Sequence, residues 1–272
     1  MPLLKRDGVD LHYELVGSGP PVLLIQGIGV TAEGWRPQVT GLAGQFQLLT
    51  FDNRGIGRSQ PCAGPISIEV MADDARALMD AAGWASAHVV GHSMGGVIAQ
   101  QLALDCPARV RSLVLLCTFA RGKDGARPTP WVIGMSLRTR LGPRPARRRA
   151  FLEMLYPRDY LKTVDLNRLA EETGRIVGRD LADQPPVLMQ QLRALGRHNA
   201  LGRLGELARI PTLVISGAHD PIAKPAYGRA LAAAIPGARF EAWPEAAHGV
   251  IIQQAEQINR RLGTFFASTV SV

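Results

Sequence analysis

The sequence predicts an α/β fold: a mostly parallel sheet with helices on both faces and one helical insertion. Three observations carry that expectation. Short, largely apolar runs recur at residues 21–25, 46–51, 87–90, 113–117 and 211–215, as suits strands buried on both faces. Helical patterns alternate with them, which is the rhythm of a parallel sheet with crossover helices. The rhythm stops across residues 119–204, where no strand pattern occurs, and resumes at Pro211.

In chain order, residues 3–5 and 9–16 read as a hairpin around Asp7-Gly8. Residues 31–43 read as a helix, and 46–51 as a strand running into the glycine-rich loop Asp52-Asn53-Arg54-Gly55-Ile56-Gly57. Over residues 68–82, Val70, Ala77, Leu78 and Ala81 share one helical face, and Gly83 is a stop signal. Strand 87–90 leads into helix 94–105, which ends before Pro107. The insertion holds helical stretches at 147–155 and 188–195, interrupted at Pro128, Pro143, Pro157 and Pro185-Pro186. Helix 225–234, strand 239–243 and helix 250–266 close the chain. The expected organisation is an eight-stranded core of residues 1–118 and 205–272, with 119–204 as a helical cap.

Composition narrows the class. With 46% hydrophobic and 20% charged residues, the 272-residue chain can bury a large core and is not disordered. Its longest apolar runs, such as 112–120, fall short of the ~20 residues that span a bilayer. The start, Met1 to Gly8, lacks the apolar stretch of a secretion signal. Cys62, Cys106 and Cys117 cannot all pair and have no metal-ligand spacing, so a reducing, cytoplasmic setting is expected.

The charge is unevenly placed. Residues 119–204 hold 17 Lys/Arg against 8 Asp/Glu, and the rest hold 14 against 15. The excess, which includes Arg144, Arg147, Arg148 and Arg149, is either a set of solvated helix faces or a field that steers an anionic substrate. Zinc-finger spacing and an RNA-binding aromatic signature are both missing, so nucleic acid is not an expected partner.

The chemistry concentrates at Gly91-His92-Ser93-Met94-Gly95, a G-x-S-x-G pattern between a strand and a helix. A sharp turn there needs small residues on both sides of the serine, and the helix behind it offers free N–H groups to negative charge. Serine needs an adjacent base. Of six histidines, His12 and His88 lie in strands, His92 is the variable elbow residue, and His219 directly precedes Asp220. His198, at the end of the insertion, is a candidate for the pocket wall. His248 follows the last strand, where ligands of a parallel sheet bind, and is the expected base. Asp220 follows another strand and is placed to hold the histidine tautomer, with a turn-forming aspartate before Pro221 as the plainer alternative.

These residues resemble the α/β-hydrolase superfamily, in its single-domain branch with a helical cap. The resemblance rests on residues 91–96, on residues 52–59, on Gly217 and Asp220, on His248-Gly249, and on the chain order Ser93, Asp220, His248. Residues 27–58 look closest to 3-oxoadipate enol-lactonases and related carboxylesterases. The resemblance implies an oxyanion hole from the N–H groups of Met94 and Ile28. It also marks a departure, Gln26 where the family has histidine. The implied activity is serine hydrolysis of a small-molecule ester or lactone, an anionic one among the candidates, with no metal or cofactor. Gln26, Gly27, Trp131, Met135, Met154 and His198 are the candidate pocket residues.

Two other readings stand beside it. The stretch from Gly27 to Ala32 matches G-x-G-x-x-[G/A] after a strand, with Asp52 where a ribose-binding acid sits in NAD(P)-binding oxidoreductases. Some proteins of the hydrolase fold are small-molecule receptors with little turnover.

Overall fold

The computed structural model describes residues 2–126 and 129–269. Met1 and the helix break expected at Pro128 lie outside them. Eight strands form one sheet in the order β1-β2-β4-β3-β5-β6-β7-β8. They are β1 (Leu3–Arg6), β2 (Val9–Val16), β3 (Pro21–Ile25), β4 (Gln47–Phe51), β5 (Ala87–His92), β6 (Val110–Leu116), β7 (Thr212–Gly217) and β8 (Arg239–Trp243). The β1–β2 and β2–β4 pairings are antiparallel and all others are parallel. Every residue of β5 and β7 is buried, which explains why those stretches are rich in apolar residues without polar alternation.

Among the helices, α1 (Arg36–Leu42) packs with the last one, while α2 (Ile68–Ala81) and α3 (Met94–Asp105) pack together on the other face. The expected helix over 31–43 divides into a 3₁₀ turn, Ala32–Trp35, followed by α1. Pro37 has no N–H for a longer helix but fits the first turn of α1. Ser67 Oγ caps α2 by accepting the Val70 N–H, and Gly83, at φ 72°, ends it as the sequence signals.

The insertion between β6 and β7 carries α4 (Gly122–Ala126), α5 (Pro130–Arg138), α6 (Arg144–Leu155), α7 (Arg158–Leu161), α8 (Leu166–Val177) and α9 (Leu188–Arg197). One isolated bridge, Arg121 to Asn199, stands in for any strand there. Phe151, Leu152, Leu155, Tyr156, Leu169 and Val177 form a small core of their own, apart from the main one around the sheet. The chain returns through α10 (Pro225–Ala234). The expected helix over 250–266 is two, α11 (Val250–Gln253) and α12 (Ala255–Ser268), because Gln254 leaves helical dihedrals at φ −120° and ψ 39°. Nothing in the local sequence signals that break. Among the described residues no helix is long and apolar enough to cross a membrane.

β3 lies between β4 and β5, so the chain steps to one side of β3 for β4 and then crosses to its other side for β5. That reversal opens a crevice at the carboxyl ends of the central strands. Gln26, Ser93, Asp220 and His248 all follow such ends.

Candidate active site

Ser93 sits between β5 and α3 with φ 55° and ψ −121°, a conformation that an L-residue adopts only under constraint. The constraint is steric. A Cβ on Gly91 would meet Gly95 O at 2.3 Å, and one on Gly95 would meet Ile25 O at 2.0 Å. Both glycines of the motif are therefore needed to bring α3 against the sheet. Ser93 N donates to Leu116 O at 2.9 Å, which fixes the turn from the neighbouring strand.

His248 Nε2 lies 3.0 Å from Ser93 Oγ, and His248 Nδ1 lies 2.7 Å from Asp220 Oδ2. All three side chains are buried. A carboxylate only accepts, so Nδ1 carries the imidazole proton and Nε2 is left to accept from Ser93. Asp220 Oδ1 accepts the N–H groups of Ile222 and Ala223, both at 2.8 Å. The turn-forming and histidine-orienting readings of Asp220 thus coexist, one on each oxygen.

His92 does more than the sequence reading allowed. Its Nε2 lies 2.8 Å from His248 O, and a carbonyl can only accept, so His92 donates to the backbone of His248. Burial, then the nearby His248, push His92 down to about 3. With its one proton on Nε2, Nδ1 faces Gln26 Oε1 at 3.3 Å as a contact and not a hydrogen bond. Burial and the Asp220 charge raise the Cys117 thiol well above its ordinary value, so Cys117 is not a second nucleophile. His92, Cys117 and His248 bring possible metal donors within 4.8 Å of one another. The nitrogens of His248 and Nε2 of His92 are already engaged as above, so metal binding there would dismantle the serine–histidine arrangement.

The loop after β3 replaces histidine support with an amide. Gln26 Oε1 accepts the Gly27 N–H at 2.8 Å, and Asn53 Nδ2 donates to Gln26 O at 3.0 Å. The insertion holds the same loop from the other side. Gly29 N donates to Gln191 Oε1 at 2.9 Å, and Arg179 Nε donates to Gly29 O at 3.3 Å. The N–H groups of Ile28 and Met94 have no acceptor among the described residues.

Ile28, His92, Ser93 and His248 face a cavity of about 240 Å³. Gly27, Trp131, Met135 and Met154 are among its lining residues, and most of its wall comes from the insertion. Gln26 does not line it; the side chain is turned to its own loop and is 1% exposed. His198 is also absent from the wall. Its Nδ1 lies 3.3 Å from Glu69 Oε1, at the start of α2. Of the arginines singled out by charge, Arg148 pairs with Asp180 and Arg149 with Glu153, and none lines the cavity, where the guanidiniums are those of Arg140 and Arg179. A separate surface cleft of about 960 Å³ shares Trp131 and Met135 with the cavity wall.

The rival dinucleotide motif is used up internally. Asp52 accepts the Ala32 N–H at 2.7 Å on one oxygen and the Arg58 N–H at 2.8 Å on the other. A Cβ on Gly27 would stand 3.1 Å from Ser93 Cβ, so that glycine serves the serine turn.

A family model described as the alpha/beta hydrolase fold matches residues 20–255. The chain is 34% identical over 262 residues to an Azorhizobium caulinodans protein carrying the name carbamate hydrolase RutD, covering 96% of this chain and 97% of that one. It is 34% identical over 265 residues to a Mycobacterium tuberculosis protein carrying the name non-heme bromoperoxidase BpoC, covering 96% and 98%. The crystal structure of the enol-lactonase from Burkholderia xenovorans LB400 superposes with a TM-score of 0.81 at 30% identity, covering 98% of this chain and all of that one. The chain belongs to the α/β-hydrolase family and is a hydrolase of that fold.

Proposed function

We propose that this hydrolase cleaves a carboxylic ester or lactone through an acyl-enzyme on Ser93. The observation that carries the reading is the hydrogen-bonded series Ser93–His248–Asp220, at 3.0 and 2.7 Å, opening onto one cavity. As His248 Nε2 removes the Ser93 proton, Oγ attacks the carbonyl and Asp220 stabilises the imidazolium. The N–H groups of Ile28 and Met94 hold the tetrahedral oxyanion, each worth roughly 3 kcal/mol. His248 then gives its proton to the leaving alkoxide. Water, deprotonated by His248, adds to the acyl carbonyl and releases the acid and Ser93. No step draws on a metal or cofactor.

Residues 119–204 act as a cap that selects the substrate, since most of the cavity wall comes from them. The enol-lactonase neighbour supports a lactone, and the carbamate named for one relative is open to the same addition at carbonyl carbon. Three free thiols suit a reducing, cytoplasmic compartment.

The test is a panel of p-nitrophenyl esters of increasing chain length, run beside enol-lactones, carbamates, thioesters and a peracid assay. Ser93→Ala should stay folded and lose several orders of magnitude in kcat. A Ser93→Ala protein that still turns over the best substrate would end the proposal.

A further inference from the structure

We propose that the outer face of α5, with the start of α9 beside it, is a docking surface for an anionic lipid bilayer. The protein would rest on the headgroups with a few apolar side chains dipped between them. The proposal goes beyond the chemistry at Ser93 and does not depend on it.

Helix α5 is apolar on two sides. Val132 and Met135 turn to the cavity around Ser93. Ile133 and Leu137, one turn apart, point the other way, into solvent. Leu141 N donates to Leu137 O at 2.8 Å, so a further turn adds Leu141 to the same row. Met189, at the start of α9, joins the row through Arg140, whose Nη2 lies 3.1 Å from Met189 Sδ. These four side chains are 44–64% exposed, and they make up half of the eight large apolar side chains left exposed among the described residues. A helix on the surface normally turns a polar face to water. Here α5 carries a single charge, Arg138, at its last position. An exposed apolar row of this kind marks a contact surface.

The border of the row is positive, and its charge selects the partner. Beside Leu141, Arg138 and Arg149 share one carboxylate, that of Glu153, which leaves one positive charge over. On the other side, exposed Arg140 has no carboxylate partner among the described residues. Neither have Arg193 and Arg197, which stand exposed one and two turns after Met189 on α9. Apolar side chains ringed by unbalanced arginines suit the boundary between headgroups and acyl chains. Anionic headgroups answer the arginines, and the acyl chains answer the row. A second copy of the chain fits less well, because a two-fold pair sets the same face against itself, arginine against arginine. Nucleic acid would meet the arginines but leave the four apolar side chains in water. Docking of this kind needs no helix that crosses the bilayer.

The experiment is sedimentation with two kinds of vesicle, phosphatidylcholine alone and phosphatidylcholine with phosphatidylglycerol in equal parts. It compares wild type with the double variants Leu137→Ser, Leu141→Ser and Arg193→Gln, Arg197→Gln, and with Leu3→Ser as the control. Leu3 is exposed on β1, outside the row. Wild type should pellet with the mixed vesicles, far less with phosphatidylcholine alone, and less as salt rises. The double serine variant should weaken partitioning at least about 10-fold, as expected when two apolar side chains no longer leave water. The double glutamine variant should weaken it about 5- to 30-fold, and Leu3→Ser should match wild type. Thermal melts show that each variant is folded. Wild type left in the supernatant by the mixed vesicles, or pelleted equally by both kinds, would overturn the proposal. So would a folded double serine variant that pellets like wild type, because the net charge of +8 would then be acting without the face. A wild-type dimer in sedimentation velocity that the double serine variant disperses would give the face to a second copy, and would overturn the lipid assignment too.

Discussion

Gln191→Met tests whether the insertion positions the proposed oxyanion donor. Gln191 is fully buried on α9, and its Oε1 accepts the Gly29 N–H at 2.9 Å, one residue beyond Ile28. Its Nε2 is 3.4 Å from Arg54 O, a weak bond by comparison. Methionine has nearly the same length and fills the space, so the main loss is one acceptor for one buried N–H. An orphaned buried donor costs roughly 1–3 kcal/mol. At roughly 2.1 cal/mol/K of unfolding entropy per residue, this chain has about 0.6 kcal/mol/K, so Tm should fall by about 2–5 °C. If the loop relaxes, the Ile28 N–H no longer meets the oxyanion squarely. Complete loss of one such donor costs about 10²–10³ in kcat, so partial misplacement should cost about 10- to 100-fold with KM little changed. The assay is kcat and KM on p-nitrophenyl butyrate beside a thermal melt. Gln191→Glu keeps an acceptor for Gly29 and should recover much of kcat. A Gln191→Met protein with lowered Tm and wild-type kcat would refute the reasoning, and would mean that Gln26 and Asn53 hold the loop from the core side unaided.

Two further expectations concern stability. Burial lowers His88 to about 4 and His92 to about 3, and lowers His12 and His198 in the same direction, so all four fold as neutral rings. The unfolded chain takes up protons near pH ~6.5 while the folded one does not, so stability should be level above that pH. It should fall toward pH 4 by up to about 1.4 kcal/mol per unit for each histidine. Urea midpoints from pH 7 to 5 read the slope, which His88→Asn should reduce; a flat profile would contradict it. Asp74 holds the buried guanidinium of Arg54 through two contacts. Asp74→Ala should cost about 3–5 kcal/mol by stranding that charge, a Tm drop of about 5–9 °C. Adding Arg54→Met should restore a large part, and a Tm within 1–2 °C of wild type for Asp74→Ala alone would show the pair to be unimportant.

What the sequence disclosed and what it hid divide along physical lines. Ser93 was legible because the backbone itself demands Gly91 and Gly95 around it, and such steric needs are local. Asp220 and His248 were legible because each follows a strand, and strand ends converge in a parallel sheet. The insertion was harder. Helix α8 went unread although Asp165 caps it and Gly178, at φ 81°, closes it. Both signals are local, but Pro157 and Pro185-Pro186 on either side of the segment signal breaks as well. Gln191 and Arg179 carried no local signal at all. Their roles exist only because the fold brings them to Gly29 across 162 and 150 residues of chain. His198 is the reverse case: its place at the end of the insertion suggested the site, and in the fold its ring meets Glu69 instead. Net charge located the basic segment, but ion pairing decided which of its arginines retain an unbalanced charge.

Trp131 and Met135 stand both in the wall around Ser93 and in the wall of the outer cleft. These two side chains therefore stand between the space around Ser93 and the outer cleft. Trimming either residue would join the two spaces and let a long acyl tail run outward while its carbonyl stayed at Ser93. On the proposed mechanism, the length of the accepted acyl group should then follow the bulk of two side chains on α5. Proteins sharing this architecture can part company in diet through changes that leave the reacting centre untouched.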